Sequence, residues 1–139
     1  MTTKLNHRLD RYTPAVLSPF RLVYGFLFVG YGSMLLFGWP VRPSVPVEVG
    51  AWPTWYAGLI ELVAGLLIGT GLFTRAGAFI ASGHMAVAYF WMHQSHSLWP
   101  IGDPPAGNSG TPAILFCFGF LLLVFVGGGR YSIDAWRRR

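Results

Sequence analysis

Long apolar stretches alternate with short polar breaks along the chain, and the breaks set its organisation. No charged residue occurs between Arg21 and Arg42. The apolar run from about 15 to 39 within that region is long enough to cross a hydrocarbon core of roughly 30 Å at about 1.5 Å per residue. A second run, about 52–73, holds a single charge, Glu61, and a third, about 76–97, holds His84, His93 and His96 but no fixed charge. A fourth, about 111–126, carries Leu121-Leu122-Leu123-Val124-Phe125 and ends on Gly127-Gly128-Gly129. The pattern predicts an all-α integral membrane protein, a bundle of four transmembrane helices. Only Thr74-Arg75 separates the second run from the third, which forces those two helices into an antiparallel hairpin.

The breaks predict turns. The segments Pro40–Pro53 and Pro100–Gly110 are rich in Pro, Gly and Asn, which gives loops and leaves no separate soluble domain. Asn108, in Gly107-Asn108-Ser109-Gly110, is expected to form a turn. Basic residues then orient the bundle. Lys4, Arg8, Arg11, Arg75, Arg130, Arg137, Arg138 and Arg139 fall on one side of a four-span arrangement and Arg42 on the other, so both termini are expected in the cytoplasm. The organisation read from this is an N-terminal cytoplasmic tail over 1–14, a membrane domain over 15–129 and a basic cytoplasmic tail over 130–139. Trp39, Trp52, Trp55 and Trp99 would form an outer aromatic belt, with Trp136 near the inner surface. Lys4, Arg8 and Arg11 ahead of an apolar run resemble the start of a signal peptide; the run is too long for one and lacks a small-residue cleavage site, so retention is expected.

Composition strengthens the membrane reading. Of 139 residues 53% are hydrophobic and 11% charged, against roughly a quarter charged in a soluble domain. The net charge of +5 sits at the termini beside apolar runs, where it faces anionic headgroups, and so argues against nucleic acid as a partner. The expected partners are the lipid bilayer, here a bacterial-type cytoplasmic (inner) membrane, and other membrane subunits or a second copy. With Cys117 as the single cysteine, the chain builds no intrachain disulfide, CxxC pair or cysteine-based metal cluster.

Candidate chemistry lies in the polar residues inside the runs, because such groups are costly there and face protein or a wet cavity. Helical spacing puts Ser18, Arg21, Gly25 and Gly32 on one stripe, Gly58, Glu61, Gly65 and Gly69 on a second, and Gly77, Ala81, His84 and Ala88 on a third. The small residues permit close helix approach. Rise per residue puts Glu61 and His84 at similar depth, about 12–13 Å from their helix ends. Arg21 and Arg75 are then the candidate cations that keep a carboxylate charged. On a regular helix His93 points about 180° away from His84, so His93 and His96 are only a weak metal pair and no metal site is expected. Cys117 is expected to be inert packing.

The stretch Glu61-Leu-Val-Ala-Gly-Leu-Leu-Ile-Gly-Thr-Gly-Leu-Phe-Thr-Arg75 resembles the acidic residue, glycine repeat and Thr-Arg turn of the DoxX family of small four-helix membrane proteins. Arg21-Leu-Val-Tyr-Gly25 with Tyr31-Gly32, Met85–Phe90, and Gly127-Gly-Gly-Arg-Tyr-Ser-Ile-Asp134 resemble other parts of that pattern. The chain departs from it at Ser33-Met34-Leu35-Leu36, where many members carry a basic residue. The resemblance implies a membrane subunit tied to quinone-coupled sulfur oxidation or to thiol and oxidative-stress systems. The expectation is an accessory subunit of a membrane oxidoreductase, with no intrinsic cofactor and with a pocket at Glu61 and His84 that accepts a quinone headgroup or relays a proton. A structural or assembly subunit packing its small-residue faces on a larger complex is the alternative. Transport of a solute or lipid needs a polar path that the apolar fourth run does not offer.

Overall fold

The computed structural model describes residues 2–138; Met1 and Arg139 lie outside the described residues, as do the side chains of Thr2 and Lys4. Two of the basic residues used for orientation, Lys4 and Arg139, are therefore not described in full. The order of elements is α1 (Thr2–Phe37), α2 (Thr54–Thr70), α3 (Thr74–Ala88), a π-helical turn (Tyr89–His93), α4 (Thr111–Val126) and a short α5 (Ile133–Trp136). No strand occurs among the described residues. The all-α expectation holds, and α4 occupies Thr111–Val126, where the fourth apolar run lies.

Two elements differ from the sequence reading. Helix α1 begins well before the apolar run, and its 36 residues make a rod of about 54 Å. Pro14 and Pro19 sit inside it, each removing one backbone donor. Over Leu5–Phe37 it is the one stretch among the described residues long and apolar enough by itself to cross a membrane; α2 and α4 are shorter apolar helices. The third helix changes pitch at its end, where Gln94 N–H donates to the Tyr89 carbonyl five residues back at 2.9 Å.

Helices α1 and α2 touch along their backbones. A Cβ on Gly25 would lie 2.5 Å from Gly69 N, one on Gly65 would lie 2.7 Å from Val29 N, and one on Gly32 would collide with Leu62 N. The predicted stripes are therefore real packing faces, but they are spent on each other inside the chain. Helix α3 pairs chiefly with α4, and α2 with α3 joins the two pairs. The core between them is Phe28, Ala64, Ile68, Ala78, Ala81, Met85, Phe116, Phe120 and Leu123, with the Phe28 and Phe120 rings 4.7 Å apart and the Tyr24 ring laid on Gly119.

Bulky apolar side chains point outward. Val23, Phe26, Val63, Leu66, Phe79, Phe118 and Phe125 are exposed while Ala64, Ala78 and Ala81 are buried. That arrangement suits a lipid-facing surface, where small residues pack helices together and large ones meet acyl chains.

The C-terminal segment folds back under the bundle. The chain leaves α4 at Gly127, whose φ of 81° suits glycine. Arg130 N–H then donates to the Pro14 carbonyl at 3.1 Å and Asp134 N–H to the Gly71 carbonyl at 2.9 Å, and Tyr131 N–H donates to Ser18 Oγ at 3.3 Å.

Candidate functional site

Glu61 and His84 meet as their helical positions predict. His84 Nε2 and Glu61 Oε1 are 3.2 Å apart, and this is the one ion-pair geometry among the described residues. Both side chains are mostly buried. Glu61 Oε2 is buried with no hydrogen-bond partner among the described residues, an unusual state for a carboxylate oxygen. The pair stands on the wall of a cavity of about 650 Å³ between α2 and the third helix, whose lining also includes Ile60, Ile80, Val87, Trp52, Trp91 and His93. A mostly apolar hollow with a few polar groups on its wall is the usual form of a small-molecule site.

His93 shares this cavity, which corrects its expected position opposite His84. The π turn supplies the reason: each wide turn takes more residues than an α turn, so the five residues ending at His93 swing its ring back toward the face of His84. Its Nδ1 lies 2.8 Å from the Asn108 carbonyl. Since a carbonyl only accepts, Nδ1 carries the hydrogen. Asn108 is buried and fixed, with Nδ2 donating to the Ser97 carbonyl and Oδ1 accepting from Gly110 N–H, both at 2.8 Å. It does shape a turn, and it also orients a cavity residue. His96 is exposed, and no group of residues suited to a metal occurs among the described residues.

Arg21 is not part of this site. Its Nη1 donates to the Ile68 carbonyl at 2.8 Å and to the Gly69 carbonyl, and its Nη2 to the Tyr131 carbonyl at 3.0 Å. It caps the last turn of α2, about 10 Å of rise from Glu61. The expected pairing with Glu61 is corrected because these carbonyls, freed at the helix end, attract the cation more locally. Arg75 is also remote: it is exposed at the start of α3, with its guanidinium beside Gly127. Neither cation holds the Glu61 carboxylate.

One polar cluster escaped the sequence reading. Phe73 has φ 49°, and the first donors of α3 would be left without partners. Asp134 supplies them: Oδ1 accepts from Phe73 N–H at 2.9 Å, and Oδ2 from Thr74 N–H and the Thr74 hydroxyl, each at 2.8 Å. Burial works against the charge, but these three bonds and Arg138 outweigh it and hold the Asp134 carboxyl below the ordinary carboxylate range. The Ser132-x-Asp134 spacing was its only signal, with Ser132 Oγ capping α5 by accepting from Ala135 N–H at 3.1 Å.

The fold and site together define a small all-helical protein with lipid-suited outer faces and an internal acid–histidine pair beside an apolar cavity. A family model, DoxX, matches residues 16–94, and the chain belongs to the DoxX family of membrane proteins. It is also 34% identical over 132 residues to an uncharacterized protein of Haemophilus influenzae, covering 92% of this chain and 95% of that one. No solved structure matches the chain.

Proposed function

We propose that this protein is a small multi-pass subunit of a redox-linked complex in the bacterial cytoplasmic membrane, whose cavity seats a quinone headgroup beside Glu61 and His84. The observation that carries this reading is the Glu61–His84 pair, 3.2 Å apart, in the lining of a mostly apolar cavity with room for a ring. Glu61 would exchange a proton with the headgroup oxygen, and His84, bonded to the other carboxylate oxygen, would stabilise either state. Electrons would pass to or from a partner subunit.

The four-span arrangement is part of the proposal. Helices α2 and α4 are about 25 Å long and α3 with its π turn about 30 Å, and all present apolar side chains outward. Exposed Trp39, Trp52 and Trp99 at one end and Trp136 at the other would serve as interfacial anchors in this arrangement. The Arg and Lys asymmetry puts both termini on the cytoplasmic side.

The assembly-only alternative loses its main support, because the glycine faces of α1 and α2 are already packed on each other.

The test is Glu61→Gln in native membranes, with gentle purification and extraction of co-purifying proteins and quinone. We expect intact assembly and lost quinone-dependent activity. Full activity with normal assembly, or wild-type protein that brings down neither partner nor quinone, would overturn the reading.

A further inference from the structure

The cavity at Glu61 and His84 opens sideways. Its lining comes from α2, from the third helix with its π turn, from Trp52 and Pro53 ahead of α2, and from Leu35 of α1, and no lining residue belongs to α4. The mostly buried Glu61 and His84 form its floor, whereas Ile60, Ile80, Val87 and Trp91 are exposed and form its rim. That rim lies on the outer surface between α2 and the third helix, which meets acyl chains in the four-span arrangement.

One rim position has no side chain. Ile80, Gly83 and Val87 follow one another at three- and four-residue spacing and so share a stripe of α3, with Gly83 directly before His84. A Cβ on Gly83 would meet nothing within 4 Å, whereas one on Gly77 of the same helix would touch Leu67 Cβ at 3.2 Å. Gly77 serves close packing, and Gly83 does not. A glycine inside a helix weakens it, and no neighbour requires one at this position. What it leaves is a gap in an otherwise bulky apolar stripe, level with the acid–histidine pair. Resting on the quinone-seat reading above, we infer that this gap is the opening through which the ligand enters from the bilayer. The ligand class that fits is a ring carrying a long apolar tail. The ring sits at Glu61 and His84, and the tail leaves past Gly83, between Ile80 and Val87, into the acyl chains. Gly83 then determines specificity for the tail and takes no part in proton exchange.

Equilibrium binding to the full chain in lipid nanodiscs tests this with two probes, a benzoquinone bearing a decyl tail and the same ring with a methyl group in its place. Gly83→Leu fills the gap. Gly30→Leu is the control, since Gly30 of α1 also has open space around it but lies outside the cavity lining. Each variant is compared with the wild type using the same probe, so partition into lipid cancels. We expect Gly83→Leu to weaken binding of the decyl probe by roughly tenfold or more and of the methyl probe by less than about threefold, and Gly30→Leu to change neither. Val87→Trp, which narrows the same gap from an exposed flank, should weaken the decyl probe several-fold with the methyl probe little changed, and it serves where Gly83→Leu fails to fold. Equal loss of both probes would make Gly83 part of the ring seat, and no loss of either would leave the gap without a role; each result overturns the opening while the quinone seat stands. A changed oligomeric state with unaltered binding in Gly83→Leu would assign the gap to a second copy and overturn the proposal. Wild-type protein that binds neither probe would overturn the seat and the opening together.

Discussion

The Arg21 guanidinium donates to the Ile68 carbonyl at 2.8 Å, so a buried cation of α1 serves as the terminal cap of α2. Through Tyr131 it also ties in the C-terminal segment. Arg21→Met should therefore strip the guanidinium from three carbonyls, of which only that of Ile68 keeps a backbone donor, Gly71 N–H at 3.1 Å, at a cost of about 3 kcal/mol. Arg21→Lys should recover only part of this, because an ammonium cannot reproduce the planar fork. Equilibrium unfolding in mild detergent measures both. If Arg21→Met proved as stable as the wild type, the cap would carry no weight in the fold.

The contact between Gly25 and Gly69 yields a second prediction. A Cβ on Gly25 falls 2.5 Å from Gly69 N, whereas one on Gly30, also in α1, meets nothing within 4 Å. Gly25→Ala must push α1 and α2 apart and should destabilise by about 2 kcal/mol or more. Gly30→Ala should be neutral or stabilise by about 0.5–1 kcal/mol through helix propensity. Similar unfolding midpoints for the two variants would contradict the close approach.

Asp134 predicts an acid-sensitive joint. Its folded pKa lies below the ordinary value, so its stabilising contribution is fully present above the unfolded pKa of about 3.9. That contribution is lost as pH falls through the lower folded value. Asp134→Asn should cost about 1–2 kcal/mol at neutral pH, as expected for loss of a helix cap. The difference between wild type and variant should shrink below about pH 4. Stability measured at pH 7 and at pH 3 checks the sign, and a gap that widens on acidification would contradict the capping role.

How far the sequence spoke depends on which physical rule each residue obeys. The meeting of Glu61 with His84 was legible because a regular helix fixes side-chain direction at about 100° per residue, and both residues lie where α2 and α3 are regular. His93 was misplaced because the π turn breaks that regularity, and the run Tyr89-Phe90-Trp91-Met92-His93 carries no local mark of it. Arg21 was read as lying on a packing stripe, yet a stripe does not say what lies at its end; the carbonyls of Ile68 and Gly69 became partners only once α2 had stopped nearby. Asp134 was illegible for a similar reason. It serves Phe73 and Thr74, about sixty residues earlier, and a cap supplied from so far away leaves no periodic trace.

The helices divide the exposed surface into two ends, and this makes topology testable with single cysteines. Cys117, partly buried beside Ser82, is first replaced by Ala. Ser44→Cys and Ser95→Cys then place thiols in exposed segments at one end, while Asp10→Cys and Arg138→Cys place them in exposed segments at the other. With four spans and cytoplasmic termini, a membrane-impermeant maleimide added to intact spheroplasts should label Ser44→Cys and Ser95→Cys. Asp10→Cys and Arg138→Cys should react only after lysis. Labelling of the second pair from outside would invert the orientation. Labelling of Asp10→Cys and Arg138→Cys on opposite sides would require an odd number of crossings, and so would end the four-span reading even though α1 alone is long enough to cross.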